Sequence, residues 1–463
     1  MSASEDRPFF DKEAACPVCK KSTVHQYLRD YAYTVEKRDE DLFVSRYHWA
    51  KPEFENYNLQ FFHLWYCPHC HYTDERKMFI TNKPDAFKNG FVDLKNALLK
   101  GIGSEPLVQA VLKHIQYPAE TFTAQYLLHV LAVYEQFLAP DYARNYEKIG
   151  KLYLRISWLF RMATAQDKSD EAVEKDIEAY FDLYQKLQAN LMNSLHNLET
   201  LNQWIENKIE TDTGNGYRFW KKHAREFKQN YEWFVGLWDT ALPLLQNYDN
   251  LGKTIQMEYH STHKNPFESP FQEYESFQKF IEELKTLWKG VPVSESEAQK
   301  LAAHYLFEAI KSGVYDTKVS RYYSIMRLIV HLYQRLQQYS QALDKSRILI
   351  ERLEYFDRTL EDRIKKATSL NEGTATVDRL NKNRMKVREM IRDAREQRAY
   401  VLRLKTEADE KRALEIFHSH RDCTPEELAE LMRQQAIEEA VIKKYTAELE
   451  SEKKKGLFQI FKF

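Results

Sequence analysis

The spacing of apolar residues changes character once, near the start of the chain. Up to about residue 80, apolar and aromatic residues fall in short runs bounded by polar turns. VHQYLRDYAYTVEK (24–37) and YNLQFFHLWY (57–66) have the Tyr, Phe and Val content of strands. From about Asp85 onward the spacing is helical. In NYEKIGKLYLRISWLFRM, Ile149, Leu152, Tyr153, Ile156, Leu159 and Phe160 follow the i, i+3, i+4, i+7 rule, and Trp158 widens the stripe. The preceding AQYLLHVLAVYEQFLAP is apolar on nearly all sides and ends at Pro140. It predicts a buried helix forming an antiparallel hairpin with its successor.

A second clear unit spans about Ser320 to Leu353. Tyr333, Tyr339 and Ala342 fall there at tetratricopeptide spacings, with the small Ala342 letting two helices approach. One copy cannot bury its own face, so degenerate neighbouring hairpins complete a solenoid, with a plain bundle as the alternative. KKATSLNEGTAT (365–376) reads as a polar linker. A helix from about Val377 to Phe417 follows, with Leu380, Val387, Ala394, Val401 and Ala408 seven residues apart and Met390 and Leu404 on a neighbouring row. The next helix opens at CTPEELAEL, where Thr424 caps, Pro425 takes the first helical position and Glu427 completes a capping box; it is expected to run toward Glu452.

These patterns make the chain mainly α. The expected order is a zinc-ribbon-like β module (1–84), a helical, tetratricopeptide-like body (85–364), the linker (365–376), long C-terminal helices (377–455) and a hydrophobic tail (456–463). Composition agrees: the chain has 12 glycines where ~7% usage would give about 32, a deficit that favours long helices over many tight turns. The 68 basic and 69 acidic residues leave a net charge of −1, without the electrostatic footprint of a general nucleic-acid binder. The polar, acidic start has no secretory h-region, and no run of about 18 apolar residues could span a membrane. A cytoplasmic location is expected, where thiols stay reduced.

That location bears on the cysteines. Four of the five form two matched pairs, CPVC (Cys16, Cys19) and CPHC (Cys67, Cys70), with forty-seven residues (20–66) between them. Two Cys-x-x-Cys pairs supply the four thiolates of a closed tetrahedral structural zinc. A thioredoxin-like redox motif would need a βαβ setting and would explain only one pair. His63, His69 and His71 crowd the second pair, and replacement of one cysteine ligand by a histidine stays open. A four-thiolate site has no open position for a substrate or an activated water.

The order CPVC, DEDLF (39–43), Tyr47, the Pro52–Tyr57 spacing and YCPHCHYTD (66–74), with RISWLFR (155–161) further on, resembles a bacterial family catalogued as domain of unknown function 2225. The resemblance covers about residues 14 to 80 and the later patch. It implies paired CPxC motifs flanking an acidic-aromatic segment, followed by tetratricopeptide-like helices, and it brings no established activity. Family members often carry glycine after each pair; Lys20 and His71 stand here instead, which bears on the tightness of each turn.

Other candidates carry less. His418, His420 and Cys423 read as a polar link between helices, with a second metal site as the alternative. Trp220, Trp233 and Trp238 read as core packing on amphipathic helices, with an aromatic ligand pocket as the alternative. Gly214 and Gly216 lack the Lys-Ser/Thr of a P-loop and mark a helix–helix turn. His260 and His263 fall in an expected exposed loop, with metal binding as the alternative. Between Asp378 and Arg412 there are 12 basic and 7 acidic residues, expected to form a solvated face or to meet an acidic protein. Leu457, Phe458, Ile460, Phe461 and Phe463 follow three lysines as a tail for a protein partner, for the chain's own body or for a membrane surface.

No HExxH, GxSxG, Walker A or dinucleotide fingerprint is present. The expected role is therefore a non-catalytic scaffold or adaptor with a structural zinc and protein partners of unknown identity. The alternatives are a nucleic-acid-binding protein using the ribbon (Lys20, Lys21, Arg29, Lys37 and Arg38) and the basic helix, and a metalloenzyme of unknown reaction. Glu36, Asp39, Glu40 and Asp41 argue against nucleic acid. The sequence does not set the oligomeric state.

Overall fold

A computed structural model describes residues 7–55, 57–81, 91–262, 276–313, 315, 318–370 and 373–460. The chain is mainly α behind a small β-rich start. It divides into two compact units, one of residues 1–160 with 278–463, the other of residues 161–277. The body expected over 85–364 thus contains the whole of the second unit.

The β-rich start is three antiparallel hairpins. β1 (Phe9–Ala15) pairs with β2 (Ser22–Leu28), β3 (Tyr33–Arg38) with β4 (Val44–Trp49), and β5 (Leu64–Tyr66) with β6 (Thr73–Glu75). Phe9, Leu28, Ala32, Phe54 and Phe62 form one apolar cluster within it. His25 of β2 stacks on Trp65 of β5 at a centroid distance of 4.3 Å, joining the first and third hairpins. The strand expected over 57–66 survives only as β5. Residues Leu59–Phe62 instead form a 3₁₀ turn, because the Asn58 side chain accepts from the Gln60 amide at 2.9 Å.

A short helix, α1 (Arg76–Ile80), follows β6, and α2 (Phe91–Lys100) and α3 (Pro106–Leu112) lead to α4 (Phe122–Phe137). Thr121 caps α4, which is buried along nearly its whole length, as its all-round apolar sequence requires. α5 (Tyr146–Thr211) returns beside it: Tyr126 near the start of α4 meets Phe160 at 5.7 Å, as expected of an antiparallel hairpin. Ile149, Leu152, Tyr153, Ile156 and Leu159 are buried in this unit.

In the second unit, the rest of α5 turns at Gly214 (φ +62°) into α6 (Asn215–Thr262), the helix–helix turn read from TDTGNGYR. α6 runs through His260, where a loop was expected; His263 lies outside the described residues. Trp233 is 68% exposed and so is not the core residue expected.

Back in the first unit come α7 (Phe277–Leu287), α8 (Glu295–Lys311), α9 (Val319–Arg335), α10 (Tyr339–Ser369) and α11 (Thr374–Ser419). Val330, Ala342 and Val401 form one cluster with Tyr333, Tyr339 and Leu343 against it, so the small residue does bring helices together. α10 and α11 run antiparallel: Arg384 and Arg388 meet Asp357, Arg395 meets Glu354, and Arg398 donates to the Leu343 carbonyl. The linker expected from Lys365 is helical through Ser369, because Ala367 is buried and extends the packed face.

The heptad of α11 holds at Leu380, Val387, Ala394 and Val401, but Asp409 rather than Ala408 takes the next buried place. Lys405 at 2.6 Å, Arg412 at 2.7 Å and the Glu438 amide at 3.2 Å satisfy its carboxylate. α12 (Pro425–Gln434) has the expected capping box. It stops short of Glu452: Ala436 turns left-handed (φ +54°), and Ile437 donates to the Met432 carbonyl, a helix-ending motif that needs no glycine. α13 (Glu439–Ile460) then packs back on α11 and α12 through Val441, Ile442, Tyr445 and Leu449. Among the described residues no helix is long and apolar enough to cross a membrane.

Candidate metal centre

Each cysteine pair sits at the tip of a hairpin. Ala15 faces Ser22 across β1–β2, and Tyr66 faces Thr73 across β5–β6. The two tips repeat one backbone pattern. Lys20 donates to the Cys16 carbonyl at 3.0 Å and Cys16 to that of Lys21 at 2.9 Å; His71 donates to the Cys67 carbonyl at 2.8 Å and Cys67 to that of Tyr72 at 2.9 Å. Lys20 (φ +66°) and His71 (φ +65°) both adopt the left-handed conformation that glycine takes most readily. Neither is β-branched, so the turn closes without glycine.

Closure of both tips brings the sulfurs together. All four Sγ atoms lie within 4.8 Å of one another, with Cys16–Cys70 and Cys19–Cys67 each at 3.6 Å. A tetrahedral ion with sulfur at ~2.3 Å places its ligands about 3.8 Å apart, whereas a disulfide requires ~2.05 Å. The spacing fits a metal ion and excludes disulfides among these four. Cys16, Cys67 and Cys70 are buried and Cys19 is half-buried.

Protons are unevenly shared in the cluster. The hydrogen bond to Cys67 pushes Cys16 up to about 12. Hydrogen bonds with Cys16 and Cys70 drive Cys67 far below an ordinary thiol, and hydrogen bonds with Cys16 and Cys67 push Cys70 far above one. A divalent cation held by these four residues would displace the remaining protons, because each ligand must be a thiolate.

The neighbouring histidines point elsewhere. His63 Nε2 lies 3.6 Å from Glu75, His71 Nδ1 bonds the Tyr66 hydroxyl at 2.8 Å, and His69 is exposed. Among the described residues the metal-capable group consists of the four cysteines alone. Cys423 donates to the His420 carbonyl at 2.9 Å and His418 meets Arg421, in the polar link between α11 and α12.

The strand leaving the second tip is anchored on the helical body. Thr73 donates its amide to Glu135 at 3.1 Å, Lys148 Nζ lies 2.6 Å from Asp74, and the Tyr72 hydroxyl donates to Asp74. Burial raises the Glu135 carboxyl well above the ordinary range, so it is held neutral. Gln125 donates to the Phe61 carbonyl at 2.7 Å, and His25 Nδ1 bonds the Tyr117 hydroxyl at 2.6 Å. The sequence reading missed this anchor. Its one signal was polar Gln125, His129, Glu135 and Gln136 inside an otherwise apolar run, where buried polar groups need partners.

Leu457, Phe458 and Ile460 fall within α13, but their side chains, and the whole of Phe461 to Phe463, lie outside the described residues.

Residues 9–201 match the model of a family described as an uncharacterized protein conserved in bacteria (DUF2225), in agreement with the resemblance carried by CPVC, DEDLF and YCPHCHYTD. None of the curated proteins and none of the solved structures compared with the chain matches it.

Proposed function

We propose that the chain is a non-catalytic cytoplasmic scaffold or adaptor whose N-terminal module is stapled by one structural zinc ion. The mutual approach of four cysteine sulfurs to within 4.8 Å carries the reading. Cys16, Cys19, Cys67 and Cys70 would hold the ion, which supplies a cross-link between two hairpin tips and no reaction. Four thiolates fill a tetrahedral shell, which argues against a metalloenzyme. The module is built from short two-stranded hairpins, which are marginal on their own, so a staple joining two of their tips has a clear physical purpose. The helical body and the tail then present surfaces to protein partners.

Pairing of arginines weighs against nucleic acid. Along α11, Arg384, Arg388 and Arg395 are matched by Asp357, Glu361 and Glu354 of α10, so these three cations already have acidic partners within the chain.

Two measurements test the proposal. Elemental analysis of the purified chain should find one zinc, and Cys67→Ser should lose it and release the N-terminal module to protease while the helices persist. A metal-free variant as protease-resistant as the parent would remove the staple. Comparing partners captured by the full chain and by a chain ending at Lys455 tests the tail; identical sets would reject its role.

A further inference from the structure

The hairpin of α5 and α6 in the second unit buries one seam and exposes another. Inside, Ile177, Phe181 and Tyr184 of α5 are half-buried, and the helices run antiparallel: Tyr180 donates to the Tyr248 carbonyl at 2.7 Å, and Trp204 meets Trp220 at 5.1 Å. A Cβ on Gly252 would come within 2.6 Å of the Tyr180 ring, so the helices touch closely there.

A second stripe runs along α6. Trp233, Leu237, Leu244, Tyr248, Leu251 and Ile255 recur at steps of three, four and seven, and are exposed by 68%, 47%, 56%, 55%, 50% and 41%. α5 adds Leu183, Leu187, Leu201 and Trp204, exposed by 44% or more. Such regular spacing is that of a helix seam awaiting helices, since scattered surface leucines would show no period.

The surroundings of the stripe say what kind of helices. Residues 229–257 carry only Glu232, Asp239, Asp249 and Lys253 as formal charges, the last two paired at 2.6 Å; residues 183–204 carry only Lys186 and Glu199. The whole chain is 30% charged. A nucleic-acid face needs a basic track and a membrane-surface helix needs a Lys/Arg rim; apart from the paired Lys253, the Lys and Arg residues of α6, Arg218, Lys221, Lys222, Arg225 and Lys228, all precede the stripe. A strongly charged protein would find nothing to pair with.

A second copy of this chain meets these requirements. Its stripe has the same period and the same lack of charge, so two identical faces meet without like-charge repulsion, as an isologous contact requires. Two hairpins together make a four-helix bundle. About ten half-exposed apolar side chains offer on the order of 800 Å² per copy, the size of a standard stable interface. We infer that the α5–α6 hairpin is a homodimerisation element, each copy covering the exposed seam of the other. This rests on the second unit alone and is independent of the zinc reading.

Sedimentation equilibrium of the full chain tests it. The expected result is a dimer at micromolar concentration, a Leu237→Glu/Leu251→Glu variant that associates at least a hundredfold more weakly, and an exposed Lys222→Glu control that dimerises as the parent does. Leu244→Cys, at the middle of the stripe, should cross-link to itself under mild oxidation, beyond any background of the parent chain. A monomeric parent overturns the inference, as does a double variant that dimerises undiminished. Should circular dichroism show the double variant misfolded, absence of the Leu244→Cys cross-link overturns it instead.

Discussion

The Lys148 ammonium lies 2.6 Å from the Asp74 carboxylate, in a pair where Asp74 is 1% and Lys148 17% exposed. The strand that leaves the second cysteine tip is thereby ion-paired to the first turn of α5, joining the β module to the helical body. Breaking such a pair from one side leaves a buried charge without its partner, which costs ~3–5 kcal/mol. Lys148→Met should therefore destabilise by about that much in chemical denaturation, while Asp74→Asn with Lys148→Met recovers part of the loss. A single variant as stable as the parent would show the anchor to be dispensable.

Ala342 is fully buried between Val330 and Val401, where three helices meet. Ala342→Leu forces extra methyl groups into a packed site and should lower stability by ~1–3 kcal/mol. An unchanged midpoint would mean that the cluster has room.

His129 on α4 is fully buried, with Nδ1 bonded to the Gln125 carbonyl at 2.7 Å, and burial pushes its pKa down to about 3 from 6.5. The fold holds it neutral, so acid protonates the unfolded chain first. Its contribution is complete above pH ~6.5 and is lost progressively as pH falls toward the folded value, by about 1.5 kcal/mol between pH 6.5 and 5. His129→Gln should flatten the acid side of the stability–pH curve by that amount. Equal slopes for parent and variant would contradict the assignment.

Much of this architecture was written in local pattern, and the failures have local causes. The cysteine tips were legible because ligand spacing is a short-range signal, and α4 because an all-round apolar run has to be buried. The end of α12 was not legible: Ala436 adopts a left-handed turn without the glycine that usually announces it. α10 continued past Lys365 because Ala367 found a packing surface, which a polar sequence does not advertise. The anchor of Asp74, Lys148 and Glu135 joins residues far apart in the chain, and no periodicity records it. At the tip turns, Lys20 and His71 take the conformation expected of glycine.

X-ray absorption at the zinc edge of the purified full chain tests the central claim most directly. The account predicts one ion per chain and a shell of four sulfurs at ~2.3 Å, kept intact in His63→Ala, His69→Ala and His71→Ala. A shell containing nitrogen or oxygen, or a folded chain that binds no metal, would contradict it.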